Sequence, residues 1–214
     1  MRKTLAVLSL LVSVSAFASS SMPMPQSNPA QDAQRAYNDG LKYRDRAWAA
    51  EKELKTTTDP KRKATLEEII TKSYKADIRS QRAALQADGS LYQAQTELGY
   101  ALRKTGEYDA ALEAYDRALG KMPNYAEAIE YRAEAYLMLN RMDDAKAAYL
   151  TLFNAGDQAR AALLGAAMQS WIEAKKANPG GVSPEALAKF SQWVGERKEI
   201  AATAGGASGG GSWK

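Results

Sequence analysis

Cysteine and histidine are both missing from the 214 residues of the chain. Without thiols there is no disulfide, no thiolate nucleophile and no Cys/His zinc site. Without imidazole, His-dependent acid–base catalysis is excluded as well. An enzyme built on this chain would have to use Asp, Glu, Lys or Ser, and no arrangement of these residues demands a catalytic pocket. Strong charge is also missing. A formal net charge of +4 is mild and gives no argument for nucleic acid as a partner. The Gly-rich stretch near the end follows no strand and precedes no helix, so it is not a phosphate loop. Nothing in the sequence calls for a cofactor or a metal.

A long apolar run is absent too. Leu5 to Val14 is apolar but too short for a comfortable membrane span. It follows the basic residues Arg2 and Lys3 and precedes Ala16-Phe17-Ala18, an A-x-A-like site. The three regions in this order predict a secretory signal over residues 1–18, cleaved before Ser19. The alternative is an uncleaved anchor. With no cysteine near the site, lipidation on Cys cannot occur. Residues 1–18 hold no acid, so their removal takes two positive charges and leaves +2. The expected location is periplasmic or secreted, with no transmembrane span after cleavage.

What remains is helical wording. Residues 19–29, rich in Ser, Pro and Met, read as a flexible lead-in. A helix is predicted from Ala30 to about Leu54, with Tyr37, Leu41, Ala47 and Trp48 near a 3.6 period. Asp59-Pro60 opens a second helix, since Pro suits the first helical turn. That helix runs to about Ala87 with Ile70, Tyr74, Ile78 and Leu85 as its buried stripe. Asp88-Gly89-Ser90 is a turn. Asn178-Pro179-Gly180-Gly181 breaks the chain again, and Ser183-Pro184-Glu185 starts the last helix. Trp171, Phe190 and Trp193 are the large apolar groups of this last hairpin. Residues 203–214 read as a Gly-rich flexible tail, with Trp213 as its one large apolar side chain.

The most informative stretch is Gly106 to Pro123, GEYDAALEAYDRALGKMP. Gly106 stands where one helix, Leu91 to Lys104, must end, because Gly accepts the left-handed conformation common there. Ala111 and Ala118 share a face of the following helix and allow close approach, while Tyr115 fills the adjoining gap. Pro123 stops that helix. Leu102, Ala111 and Tyr115 recur 34 residues later as Tyr136, Ala145 and Tyr149. This spacing and wording resemble the tetratricopeptide repeat (TPR) family, whose period is about 34. The first copy matches at Leu98-Gly99, Leu102, Gly106, Tyr108, Ala111, Tyr115, Ala118 and Pro123. The second matches at Ile129, Ala133, Tyr136, Ala145 and Tyr149. It departs at Arg132, Leu152 and Asp157, which stand where Leu98, Ala118 and Pro123 stood.

The resemblance implies an all-α fold, a right-handed superhelical array of about four antiparallel hairpins. Residues 92–125 and 126–157 would be regular repeats. Residues 30–90 and 158–202 would be divergent terminal hairpins of one helical domain, 30–202. It also implies a concave groove lined by the first helix of each pair. The first copy brings Gln93, Thr96, Tyr100, Arg103 and Lys104 to that groove. The second brings Glu127, Glu130, Glu134, Leu137 and Met138. Thr96, Tyr100, Glu130 and Glu134 stand where some relatives grip a peptide carboxylate, which argues against a chaperone-tail clamp here. The candidate binding set is Tyr100, Arg103, Lys104, Glu127, Glu130 and Glu134. The three glutamates have poor neighbours for neutralisation on their own helix, so mutual repulsion is expected. They are either a solvated face or a site for a basic ligand. Asp143 and Asp144 are read as helix-start acids, not as a metal pair. The expected function is a non-enzymatic scaffold for a protein or peptide partner. The alternatives are a self-associating structural protein, or an envelope enzyme marked by a pocket carboxylate of raised pKa.

Overall fold

Asparagine, aspartate and serine open the helices at the places where proline follows them. Asn28 accepts a hydrogen bond from the Ala30 amide at 3.1 Å and Asp59 one from the Lys61 amide at 3.0 Å. Ser183 accepts one from the Ala186 amide at 3.2 Å. Each cap satisfies an amide that has no partner within its own helix. The computed structural model describes residues 28–207. The expected signal and most of the expected lead-in, with the end of the expected tail including Trp213, lie outside the described residues.

Every regular element among the described residues is an α-helix. They are α1 (Pro29–Leu54), α2 (Pro60–Ala87), α3 (Tyr92–Lys104), α4 (Tyr108–Lys121), α5 (Ala126–Met138), α6 (Met142–Asn154), α7 (Gln158–Ala177) and α8 (Pro184–Ala207). They form a TPR-like helical solenoid of four hairpins. The last helix passes five residues into the stretch expected as a tail. Ala201, Ala202 and Ala204 are strong helix formers and no proline stops them. No helix among the described residues is long and apolar enough to cross a membrane.

One turn is used three times. At Gly106 the backbone has φ +87°, at Asn140 +59° and at Gly156 +80°. In each case the next amide reaches back to a carbonyl in the preceding helix: Glu107 to Leu102 at 2.9 Å, Arg141 to Tyr136 at 2.8 Å and Asp157 to Leu152 at 3.1 Å. This is the Schellman pattern, which needs a left-handed residue at the helix end. Asn140 lies 34 residues after Gly106, and Asn is the non-glycine residue that tolerates that conformation best. Asp157, which replaces the helix-stopping proline of the first copy, caps α7 through the Arg160 amide at 3.0 Å.

The helices form two layers. α1 touches α3, α3 touches α5 and α5 touches α7, so the first helices of the pairs make one continuous layer. The second helices meet chiefly the first helices on either side of them. A curved array brings its inner layer together and spreads its outer one, so the first helices line the concave face. Between the layers lie Tyr74, Leu98, Leu102, Ala111, Tyr115 and Ala118 in the first half. Ile129, Ala145, Tyr149, Leu164, Met168 and Phe190 fill the second.

The stripe expected on α1 holds at Ala47 and is corrected at Trp48. Its buried residues are Ala33, Gly40, Ala47 and Ala50, while Trp48 is exposed. Small residues seven apart let α1 lie close along α2, and an indole on that line would hold the two helices apart. The same logic appears at Gly99 in α3. A Cβ there would come within 2.6 Å of the Tyr115 ring, and Tyr115 is fully buried. Gly99→Ala and Ala111→Trp are each expected to cost roughly 1–3 kcal/mol by overpacking, read from chemical denaturation midpoints. An unchanged midpoint for either would show that this helix contact is looser than the structure has it.

Candidate functional site

The concave layer is held by charged pairs that run from one first helix to the next. Arg44 of α1 meets Glu97 of α3 at 2.5 Å. Arg103 of α3 meets Glu134 of α5 at 2.6 Å. Arg160 of α7 meets Glu130 of α5 at 2.6 Å and Glu127 at 3.6 Å. Lys104 turns the other way, to Glu51 of α1 at 2.7 Å. The expected repulsion among Glu127, Glu130 and Glu134 persists at Glu130, which both neighbours push up, but it is offset by Arg160 and Arg103. Their counterions come from neighbouring helices, where a search along their own helix does not look.

Aromatic rings fill the spaces between these pairs. Trp48 donates its indole N–H to the Tyr100 hydroxyl at 2.6 Å and carries the Arg44 guanidinium over its ring at 4.3 Å. Tyr100 packs on Tyr131 with ring centroids 5.0 Å apart, and Arg103 lies 5.1 Å from the Tyr100 centroid. Glu127 accepts from the Tyr125 hydroxyl at 2.6 Å and from that of Tyr131 at 3.1 Å. Charged hydrogen bonds flanked by aromatic faces are stronger than the same bonds in water.

Of the six residues expected in the site, Arg103 and Glu134 pair directly, and Glu127 and Glu130 share Arg160. Lys104 joins α1 and not the acids of α5. Tyr100 and Glu130 are buried by neighbours, as are Thr96 and Leu137. The large apolar side chains left exposed on α1, α5 and α7 are Tyr43, Trp48, Met138 and Leu163, at 39%, 39%, 48% and 57%. Sequence reasoning missed Arg44, Trp48, Glu51, Glu97, Tyr131 and Arg160. One signal was available for part of this set. Arg103 and Glu134 are 31 residues apart, and Glu130 and Arg160 are 30 apart. Each is one repeat less about one helical turn, the spacing at which successive first helices meet.

The electrostatics follow from burial. Burial pushes the Glu97 carboxyl up to about 7, although Arg44 pulls the other way. Burial also raises Glu130, with Arg160 opposing it. Burial, with Glu127 beside them, raises the hydroxyls of Tyr125 and Tyr131, which stay protonated donors.

Elsewhere, an apolar cleft of about 660 Å3 lies along α7 and α8, lined by Tyr149, Gly165, Met168, Trp193, Val194 and Arg197 among others. No carboxylate is among the described residues that line it. The two raised carboxylates nearest neutrality, Asp77 and Glu97, are not at this cleft. Among the described residues no group of three or more Asp or Glu side chains could hold a metal ion. Asp143 pairs with Lys146 at 3.1 Å and Asp144 with Arg141 at 2.8 Å.

Residues 102–168 match the family model described as Tetratricopeptide repeat. The match begins near the end of α3 and ends inside α7, so it takes in α4, α5 and α6 whole. No curated protein matches the chain.

The Arg103–Glu134 pair is largely covered, with the two side chains 12% and 24% exposed. Glu134→Ala is expected to cost roughly 3 kcal/mol, because it strands a covered guanidinium. Glu134→Gln, which keeps an acceptor, should cost roughly half of that. A loss below about 1 kcal/mol for Glu134→Ala in chemical denaturation would class this pair with ordinary surface ion pairs.

Proposed function

We propose that the chain is a TPR protein of the bacterial cell envelope that holds a protein or peptide partner on its concave face and does no chemistry on it. TPR repeats generally mediate protein–protein interactions. The observation that carries the reading is the concave layer itself: Arg44–Glu97, Arg103–Glu134 and Arg160–Glu130 hold its polar side chains in place before any partner arrives. A surface whose rotamers are already set loses less entropy on binding. On this reading Tyr100, Arg103, Lys104, Glu127, Glu130 and Glu134 form the floor of the groove. Trp48, Met138 and Leu163 supply its exposed apolar contacts. Export follows from residues 1–18, and N-terminal sequencing of protein from the envelope should begin at Ser19. A start at Met1 would remove the envelope from the proposal.

A second reading, self-association, is favoured by the cleft along α7 and α8. It lies between α6 and the last hairpin, and its apolar lining suits a side chain of a second copy. The two readings separate cleanly. Partner captured by crosslinking in the native envelope should bind the purified chain, and Trp48→Ala should weaken it about tenfold or more, as loss of an aromatic anchor does. Lys104→Ser should weaken it less. Charge reversal at Glu130 or Glu134 is a poorer probe, because it breaks the pairs that build the layer. Equal affinity in Trp48→Ala would move the site off the concave face. A mass that rises with concentration, and falls back in Ala166→Arg, would favour self-association.

A further inference from the structure

The first hairpin contains a buried polar pair that the groove does not use. Asp77 and Gln81 lie one turn apart on α2, and both are completely buried. They press on the backbone of α1 at Gly40: a Cβ there would stand 2.7 Å from Asp77 Oδ1 and 2.8 Å from Gln81 Cδ. Gln81 Nε2 donates to Asp77 Oδ1 at 2.9 Å and reaches the Tyr37 carbonyl at 3.5 Å. Two buried atoms are left without a partner, Asp77 Oδ2 and Gln81 Oε1. Both are acceptors when the carboxyl is ionised, so neither can satisfy the other. One proton on Oδ2 turns it into a donor to Oε1. That single change supplies the kind of donor that Oε1 lacks.

We propose that Asp77 carries a proton in the folded protein, closing an acid–amide ring with Gln81 that locks α1 onto α2 at Gly40, and that loss of this proton loosens the first hairpin. The surroundings support it. From α1, Tyr37, Arg44 and Asp45 act on the carboxyl, and from α3 Glu97 does. Arg44 is already held by Glu97 at 2.5 Å and by Asp45 at 3.2 Å. Asp77 itself is in none of the ion pairs among the described residues, so an ionised Asp77 would be a buried charge with no direct counterion, a costly state. Burial pushes its carboxyl up to about 7, with Gln81 and Arg44 opposing.

The sign follows from linkage. In the unfolded chain Asp77 ionises near its ordinary value of about 4, while in the folded chain it keeps its proton to about 7. The lock contributes fully below the unfolded value. Stability then falls as pH rises from about 4 to about 7 and levels off above. Glu97 adds a slope of the same sign, so the comparison is made in an Arg44→Gln, Glu97→Gln background, which removes that slope without freeing Arg44 for Asp77. Because α1 carries Arg44, Trp48 and Glu51, the looseness should reach the concave wall, yet the lock can be tested with no partner present.

The experiment is a pH titration of the whole chain by NMR and thermal unfolding, with Asp77→Asn as the variant. Asparagine keeps both bonds: Oδ1 accepts from Gln81 and its amide N–H donates to Oε1. The expected result is an Asp77 carboxyl signal that stays acid-like until near pH 7. The Trp48 indole N–H signal should move in step with it. Asp77→Asn should unfold at the same temperature or higher at pH 8, lose the part of the pH slope that Asp77 supplies, and hold its Trp48 signal still. Asp77 titrating in the ordinary Asp range, or Asp77→Asn unfolding at lower temperature than its parent at pH 8, would overturn the protonated lock. A Trp48 signal that stays still while Asp77 titrates near 7 would overturn the loosening of the hairpin.

Discussion

Close approach of two helices is the constraint from which the rest of this array follows. Where Tyr115 lies flat on Gly99, the backbone of α3 has no Cβ to keep the ring away. The buried tyrosine then fills the gap between the helices of its hairpin. The first hairpin meets the same constraint with a different filler. At Gly40 the space a side chain would occupy holds the Asp77–Gln81 pair. Elsewhere along these interfaces alanines do the work, as at Ala47, Ala84, Ala111 and Ala118, all fully buried. An Ala-rich core buries little apolar area per residue, and area removed from water is what drives folding. Such a core depends on short separations, because dispersion contacts weaken steeply with small gaps.

Once hairpins are that close, their register in the layer is held by charge. A guanidinium and a carboxylate taken out of water cost more than they return unless both are hydrogen-bonded in good geometry. The pairs on the concave face meet that condition in part: they cross between helices and lean on rings, as Arg44 does on Trp48 and Arg103 on Tyr100 and Tyr131, while Glu97 Oε2 and Arg103 Nε keep no hydrogen-bond partner. Each pair also fixes the height of one first helix against the next. Glu130 is engaged by Arg160 one turn short of the repeat period, and Glu134 by Arg103 in the same way. A slip of one turn would separate both at once. The same side chains that would meet a partner therefore also hold the inner layer in register.

Much of the fold was legible because it rests on local chemistry. Asp59-Pro60, Ser183-Pro184 and Gly106 act within a few residues of themselves, and the structure uses each as its local rule requires. The period of 34 placed α3 to α6 because Leu102, Ala111 and Tyr115 find their counterparts at a fixed offset. Trp48 was misplaced because periodicity alone does not distinguish a stripe of small residues from a stripe of large ones. α1 buries Ala33, Gly40 and Ala47, which carry little hydrophobic weight, and shows solvent the residue that carries most. The concave residues themselves were named from the repeat register, but their counterions were missed. Arg44 and Glu97 are 53 residues apart, and neither helical periodicity nor i,i+4 counting connects them. Asn140 was readable in principle as the second left-handed turn, since it falls one period after Gly106.

The first hairpin is where these considerations meet. Its helices are twice the length of those in α3 to α6 or nearly so, at 26 and 28 residues, and they lie against each other along most of that length. An apolar seam of that extent would leave α1 with a hydrophobic alternative to its native position at every small-residue repeat, since Ala33, Gly40 and Ala47 are interchangeable in size to within a methyl group. A polar pair that fits only opposite a glycine removes that degeneracy. Sliding α1 by seven residues would set the backbone of Ala33 or Ala47 against Asp77 and Gln81, with a methyl group in the space the pair occupies. The register chosen at Gly40 is also the one that brings Arg44 to Glu97, Trp48 to Tyr100 and Glu51 to Lys104, which lie four, eight and eleven residues further along the same helix. The buried carboxyl is thus placed where its cost specifies the alignment of the concave wall, and a single proton decides how large that cost is.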